Sequence, residues 1–154
     1  MPRLGVGDAA PPFTLVDQDG DQVSLADYLG RRIVLYFYPR DDTPGCTTEA
    51  CQLNENIAAF EAAGADVLGV SPDPPGSHLA FRQKYSLGLR LASDPSHEVM
   101  ESYGAWGEKT LYGRKSVGVI RSTFVINEAG KISRAWYNVR ADGHAAKVRV
   151  ELGL

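Results

Sequence analysis

The sequence is poor in the features that mark several common functional classes. Its 154 residues include two cysteines and three histidines, and no histidine stands at ligand spacing from a cysteine, which argues against a zinc site. The formal net charge is −3 without a run of lysines and arginines, so the chain has no electrostatic footprint for nucleic acid. No apolar stretch approaches the length of a membrane span, and the N-terminus lacks the apolar segment of a signal peptide. We therefore expect a cytoplasmic protein that binds no metal, cofactor, nucleic acid or membrane.

The composition is that of an ordinary soluble domain. Hydrophobic residues make up 44% of the chain and charged residues 23%, and no tandem repeat or linker-like segment divides it. Apolar segments typical of strands alternate with segments of helical periodicity, and the last strands form a hairpin. The pattern predicts a single domain over residues 1–154, a thioredoxin-like three-layer α/β/α sandwich with a mixed central sheet and an N-terminal β-hairpin extension.

Individual elements follow from the same patterns. The apolar run IVLYFY predicts a strand buried on both faces, which Pro39 stops. Ser77 is the candidate N-cap of a helix that follows the next strand. The other predicted elements are a hairpin at 13–25, strands at 65–73 and 89–95, helices at 47–64, 77–88, 96–106 and 143–154, and a hairpin at 117–139 closed around NEAG.

The segment TPGCTTEAC predicts a helix start with a cysteine in its first turn. Thr43 suits the N-cap, and Pro44 suits the first helical position, where a missing N–H costs nothing. Cys46 would then meet unpaired backbone N–H groups and the positive end of the helix dipole, which favour a thiolate over a thiol. Because the thiolate is the nucleophilic form, the pattern indicates a reactive cysteine; the alternative is an inert, buried one.

The spacing of the two cysteines excludes a disulfide within a formed helix. Five helical residues give a rise of ~7.5 Å and a Cα separation of roughly 8.5 Å between Cys46 and Cys51. Disulfides need Cα atoms closer than ~7 Å. The pair can therefore bond only if the start of the helix unwinds, which predicts a redox element with two conformations.

Arg121 is a charged residue within an otherwise apolar and hydroxyl-bearing segment, VGVIRSTFVIN. A buried guanidinium needs an anion or strong acceptors, and a thiolate at the neighbouring helix start would serve. Alternatively, the head of the arginine reaches solvent at the edge of a strand. Periodicity does not decide between the two.

The residues now support a family resemblance. Pro39, Thr43 and Cys46 stand in the order P-x-x-x-T-x-x-C, and the fuller string is YPRDDTPGCTTEAC. The chain resembles the peroxiredoxins, and among them the bacterioferritin comigratory protein (PrxQ) subgroup. The resemblance continues in the same order through GVSPD, LASDP, YGAW, RSTFVIN and the GH near the C-terminus, and so covers nearly the whole chain.

The resemblance implies a thiol peroxidase that acts on hydrogen peroxide and organic hydroperoxides. Cys46 matches the peroxidatic cysteine, whose thiolate attacks the O–O bond and becomes a sulfenic acid. Thr43 matches the threonine that contacts thiolate and peroxide, and Arg121 the arginine that stabilises the thiolate. Pro39 matches the proline that shields the site from water. The N–H groups of Gly45 and Cys46 would hold the peroxide oxygens.

The resemblance also implies how the oxidised enzyme recovers. Cys51 matches the resolving cysteine, which would condense with the Cys46 sulfenic acid into an intramolecular disulfide, and thioredoxin or a similar dithiol would reduce it. Glu49 would have a supporting, orienting role. An intramolecular disulfide needs no second subunit, so a monomer is expected. Arg40, Asp41 and Asp42 occupy variable positions of the signature.

Two other functions are compatible with a paired-cysteine protein. One is a thioredoxin-like dithiol oxidoreductase, against which the five-residue spacing argues. The other is a redox-sensing interaction module whose helix unwinds to expose a partner surface. Insulin reduction without peroxide would identify the first, and oxidation-dependent capture of a partner would identify the second.

Overall fold

A computed structural model describes residues 3–154 of the chain. Its strands are β1 (Thr14–Asp17), β2 (Gln22–Ser24), β3 (Arg32–Phe37), β4 (Ala65–Ser71), β5 (Arg90–Ser93), β6 (Trp106–Leu111), β7 (Arg114–Val119), β8 (Ser122–Ile126) and β9 (Ile132–Trp136). Its helices are α1 (Pro44–Glu55), α2 (Ile57–Ala62), α3 (Pro75–Tyr85), α4 (Glu98–Ser102) and α5 (His144–Glu151), with a short 3₁₀ turn at Leu25–Tyr28. Within residues 3–154, no helix combines the length and apolarity needed to cross a bilayer.

Seven strands form one mixed sheet in the order β2-β1-β5-β4-β3-β8-β9. The central strands β3, β4 and β5 are parallel, and β8, β9, β1 and β2 join them in antiparallel pairing. The parallel centre needs crossover connections, and α1, α2 and α3 supply them. The mixed sheet and the N-terminal hairpin agree with the prediction from sequence.

Strand β3 contributes to both halves of the core. Ile33, Leu35 and Phe37 belong to one buried cluster, which includes residues of the N-terminal hairpin and of α4. Val34 and Tyr36 belong to the other, which includes residues of α1, α2, α3 and α5. Burial on both faces explains the continuous apolar run, because positions 33–37 of this strand are all buried.

Two predicted elements near residue 110 are wrong. The helix predicted over 96–106 ends at Ser102, and the strand predicted from 117 is divided. Residues 106–119 form a separate two-stranded sheet, β6 with β7, and Ile120 and Arg121 link it to β8. Arg121 therefore lies between two strands. The direction of its side chain is not fixed by the alternation of side chains between the two faces of a sheet.

Two helix boundaries also differ from the prediction. The helix after β4 begins at Pro75 and has Pro74 as its N-cap, so Ser77 lies within the first turn rather than at the cap. The long helix predicted over 47–64 is interrupted at Asn56, whose backbone N–H bonds to the carbonyl of Leu53, three residues back. The side-chain Nδ2 of Asn56 donates to the Gln52 carbonyl at 2.8 Å. In an unbroken helix, this carbonyl would accept from the backbone N–H of Asn56 instead.

Candidate active site

The first turn of α1 presents Cys46 at the C-terminal end of β3. Thr43 is the N-cap with extended backbone, Pro44 is the first helical residue, and Cys46 is the third. The Thr43 carbonyl accepts the first helical hydrogen bond, from Thr47 N–H at 2.8 Å. Cys46 is only 2% exposed, and packs in the cluster that contains Val34 and Tyr36. The helix start predicted from TPGC is thus confirmed.

The backbone at this turn offers unpaired donors beside the sulfur. Within residues 3–154, no hydrogen-bond acceptor is assigned to the N–H of Gly45 or of Cys46. Such groups carry the positive end of the helix dipole and favour a negative charge at this point. A Cβ added at Gly45 would lie 3.4 Å from Nη2 of Arg121, so glycine allows the guanidinium to approach the helix closely.

Arg121 bridges two residues of α1. Its Nη2 lies 3.2 Å from Cys46 Sγ, and its Nη1 donates to Glu49 Oε1 at 2.7 Å. The backbone of Arg121 is held in turn, because its carbonyl accepts from Val139 N–H at 2.8 Å. The guanidinium therefore meets two acceptors inside the protein, and the alternative in which it reaches solvent is not the one observed.

Burial sets the ionisation of the residues around the sulfur. Glu49 is 1% exposed, and this desolvation raises its pKa to about 7 despite the neighbouring Arg121. Burial alone would lower the pKa of Arg121, but Glu49 and Cys46 outweigh it and the pKa is raised. Oε2 of Glu49 has no hydrogen-bond partner among residues 3–154, which fits a carboxyl group that holds its proton near neutral pH.

Pro39 and Thr43 flank the sulfur on the loop that precedes α1. The Thr43 hydroxyl donates to the Arg40 carbonyl at 2.9 Å, so it does not cap the helix with its side chain. Pro39 lines a cleft of about 320 Å³ together with Arg121 and residues of the β6–β7 hairpin. The cleft is therefore bordered by Arg121, the residue that contacts the sulfur.

Cys51 lies on α1 and is a free thiol, as is Cys46. It is partly exposed, and burial followed by the charge of Glu55 raises its pKa. The helix is continuous from Pro44 to Glu55, so both cysteines stand in one formed helix, the arrangement for which the spacing excludes a disulfide.

Reasoning from sequence missed two sets of contacts that hold the site. The amide of Gln52 donates to Asp142 at 2.7 Å and accepts from Gly143 N–H at 2.9 Å, so it fastens α1 to the loop before α5. Asp41 and Asp42, variable positions in the signature, both bond to α3. In the sequence, Asp41 and Asp42 are two acidic residues shortly after a proline. No periodicity links them to their partners on α3.

Asp17, Asp19 and Asp21 cluster at the N-terminal hairpin turn, where Asp17 accepts from the backbone N–H groups of the other two and from Arg90. His144 is the first residue of α5 and packs edge-on against Trp136.

Comparisons with known proteins agree with the fold and the motif. Residues 6–135 match the model of the AhpC/TSA family. The chain is 53% identical over 152 residues to a peroxiredoxin of Mycobacterium tuberculosis (99% of this chain, 97% of that one). It is 44% identical over 144 residues to the peroxiredoxin Bcp of Escherichia coli (94% and 92%).

Solved structures show the same likeness. A mutant of Xylella fastidiosa PrxQ superposes with a TM-score of 0.92 at 34% identity, covering 99% of this chain and 98% of that one. The bacterioferritin comigratory protein of Xanthomonas campestris, described with an alkyl peroxide reduction activity, superposes with a TM-score of 0.86 at 37% identity, covering 92% and 90%.

Proposed function

Because the chain belongs to the AhpC/TSA family and is a peroxiredoxin, we propose that Cys46 reduces hydrogen peroxide and small organic hydroperoxides and that Cys51 resolves the product. Family membership makes the protein a peroxidase. The proposal concerns which residues act and in what order. The observation that carries it is the 3.2 Å contact between Arg121 Nη2 and Cys46 Sγ at the open start of α1.

The geometry supports a thiolate as the attacking group. A guanidinium has only donors, so its contact with sulfur favours the form that can accept, which is the thiolate. The free N–H groups of Gly45 and Cys46 point from the same turn and add to this preference. The sulfur is therefore held in place as a nucleophile in the first turn of a formed helix.

The first step transfers one oxygen atom. The Cys46 thiolate attacks the terminal oxygen of the hydroperoxide, an S–O bond forms, and the O–O bond breaks. The leaving oxygen takes a proton and departs as water or an alcohol, while the sulfur loses two electrons and becomes a sulfenic acid. Arg121, Thr43 and the two backbone N–H groups would stabilise the negative charge as it moves between the oxygens.

The second step forms the disulfide. The Cys51 thiol attacks the sulfenic sulfur, an S–S bond forms, and the hydroxyl leaves as water with the proton of the thiol. Since both cysteines lie on one formed helix, α1 has to unwind between them before this step. A dithiol donor such as thioredoxin then supplies two electrons and two protons and restores both thiols.

We assign the remaining roles from the positions of the residues. Pro39 borders the cleft beside Arg121 and would limit the access of water to the sulfur. Glu49 would orient Arg121 through its 2.7 Å contact. An intramolecular disulfide requires one subunit only, so we propose a monomer of one domain, residues 1–154, acting in the cytoplasm.

Intact mass after one equivalent of hydrogen peroxide tests the proposal. The wild-type chain should lose two hydrogens, and Cys51→Ser should gain one oxygen as a sulfenic acid. Cys46→Ser should show neither change and should not consume peroxide. Peroxide turnover by Cys46→Ser would contradict the assignment of the peroxidatic residue, and normal thioredoxin-linked recycling of Cys51→Ser would contradict that of the resolving one.

A further inference from the structure

A cluster of buried polar side chains holds the loop 39–43 and takes no part in the proposed chemistry. Its centre is Asp41, which is 8% exposed and stands five positions before Cys46. One carboxylate oxygen accepts a short hydrogen bond from the Tyr38 hydroxyl. The other accepts from Ser77 Oγ at 2.8 Å and lies 2.7 Å from His78 Nδ1. Tyr38 directly follows β3, and Ser77 and His78 belong to α3, so this carboxylate ties the loop to the body of the fold.

The hydrogen bonds of His78 place its protons. Nε2 lies 3.0 Å from the carbonyl oxygen of Ala92, which has only lone pairs, so Nε2 carries a hydrogen. Nδ1 faces the Asp41 carboxylate, and one proton stands between them. The imidazole has no exposure to solvent. Removing either partner would leave the other buried without its hydrogen bond, which is the costly case.

The backbone of the same loop is held from β4. The N–H of Asp41 donates to Asp73 Oδ2 at 2.7 Å, and Ser71 Oγ donates to the same oxygen at 2.7 Å. Asp41 is thus fixed both through its side chain and through its main chain. A loop residue with so many buried partners cannot shift without breaking several of them at once.

The next residue is fastened at the surface. Asp42 has φ of 58°, a conformation that side chains with a Cβ rarely adopt. Its carboxylate accepts from Lys84 Nζ at 2.7 Å and from Tyr85 OH at 2.6 Å, both at the C-terminal end of α3. Helix α3 therefore holds two consecutive residues of the loop that leads into Thr43.

We propose that Asp41 and His78 are positioning residues that keep the loop 39–43, and with it the first turn of α1, in the conformation that reacts with peroxide. The inference rests on the proposed function, in which α1 is folded for the first step and unwound for the second. Thr43 and Cys46 follow Asp41 directly in the chain, so a loop that is held fixed keeps the sulfur beside Arg121. Weakening the pair shifts the balance towards the unwound helix.

The test separates the two steps in the full-length, reduced chain with hydrogen peroxide as the probe. Acid quench, alkylation of free thiols and intact mass give the rate of Cys46 oxidation in a Cys51→Ser background. The same procedure gives the rate of disulfide formation when both cysteines are present. The fraction of chains that reach the sulfinic acid gives the competition between a second peroxide and Cys51.

Asp41→Ala and His78→Ala should oxidise Cys46 roughly ten- to a hundredfold more slowly, because small displacements of a reacting group have effects of this size. Disulfide formation should be as fast as in wild type or faster. The sulfinic fraction should fall, because attack by a second peroxide needs the folded site. Should these variants not fold, Ser77→Ala removes one hydrogen bond only, and should slow the first step roughly two- to tenfold.

Asp41→Asn should restore most of the wild-type behaviour. Its amide can donate to a neutral His78 at Nδ1 and to Ser77 Oγ, and its carbonyl can accept from Tyr38, so every hydrogen bond is kept without the charge. Ile126→Ala is the control for lost stability alone, because Ile126 is buried in the cluster on the opposite face of the sheet.

Three results would overturn the inference. The first is oxidation of Cys46 as fast as in wild type in the alanine variants of the loop contacts, Ser77→Ala included. The others are changes in the two rates of Ile126→Ala equal to those in the alanine variants, or no recovery of the rate of Cys46 oxidation in Asp41→Asn. In each of them the wild-type chain still forms its sulfenic acid and disulfide. A wild-type chain that forms neither contradicts the proposed function instead.

Discussion

Arg121 and Cys46 are 75 positions apart in the chain, yet Nη2 of the arginine lies 3.2 Å from Sγ of the cysteine. The other branch of the same guanidinium is bound to Glu49, one helical turn beyond the cysteine. The rigid fork of arginine allows this double contact, so the position of the sulfur and that of the carboxyl are linked through one planar group.

Arg121→Lys should lower the rate of Cys46 oxidation about a hundredfold, because one ammonium group cannot meet the sulfur and Glu49 in the same geometry. The rate constant for hydrogen peroxide under single-turnover conditions measures the loss. Arg134→Lys is the matched control, since Arg134 lies on β9 in a long, exposed pairing with Glu151. Equal rates in wild type and Arg121→Lys would contradict the role of the fork.

Glu49→Gln should remove one contribution to the dependence of stability on pH, so that the variant loses less stability than wild type, or gains more, as pH rises from 4.5 to 7. The pKa of Glu49 is about 7 in the folded chain against an ordinary value of 4.5, so the folded state keeps a proton that the unfolded state loses. The contribution of Glu49 to the free energy of unfolding should therefore fall as pH rises from 4.5 to 7, by about 2–3 kcal/mol. Urea unfolding at a series of pH values measures the slope, and an unchanged slope in Glu49→Gln would contradict the prediction.

Gln52→Ala should ease the unwinding of α1. The variant loses the two hydrogen bonds that fasten the helix to Asp142 and Gly143, worth about 1–2 kcal/mol together in an exposed setting. Disulfide formation should become faster, and the amide hydrogens of 44–55 should exchange faster with deuterium. Gln83→Ala on the exposed face of α3 is the control, and should leave both rates as they are. Unchanged exchange in Gln52→Ala would mean that the contact does not limit the opening.

His144→Phe should protect the fold against acid. Burial, with smaller effects of Lys147 and Arg121, lowers the pKa of His144 to about 4. As pH falls from 6.5 towards 4, the unfolded chain binds a proton that the folded chain does not bind. The contribution of His144 to the free energy of unfolding therefore falls by about 1–3 kcal/mol. Phenylalanine carries no proton, can keep the edge-on packing against Trp136, and loses no bond at Nε2, which has no partner among residues 3–154. From pH 7 to pH 5, the melting temperature of the variant should therefore fall less, or rise more, than that of wild type.

The parts of the fold that could be predicted are those that depend on residues close together in the sequence. The run that became β3 is apolar because both faces are buried, and Thr43 and Pro44 mark the start of α1 through local backbone rules. The β6–β7 hairpin was missed because its strands are largely exposed and polar. Its turn, Tyr112–Gly113, has two positive φ angles where asparagine-glycine is the usual signal.

The residues of the candidate site also differ in whether a local sequence pattern predicts their position. The position of Cys46 follows from its own helix, but the approach of Arg121 depends on a link between two sheets that no local pattern predicts. Asp41 and His78 lie 37 positions apart on different elements, and each taken alone is an ordinary polar residue. Contacts of this kind are set by the assembled fold, so a motif that marks Pro39, Thr43 and Cys46 says nothing of them.

The interruption at Asn56 bears on how much of the protein would unfold in the proposed catalytic cycle. Helix hydrogen bonding is cooperative, so an unbroken helix over 44–62 would tend to melt as one piece. With the joint at Asn56, α2 can stay packed through Phe60 while only α1 opens, roughly three turns instead of five. In the proposed cycle, the joint would confine the partial unfolding to α1, a segment short enough to fold again while α2 stays in place.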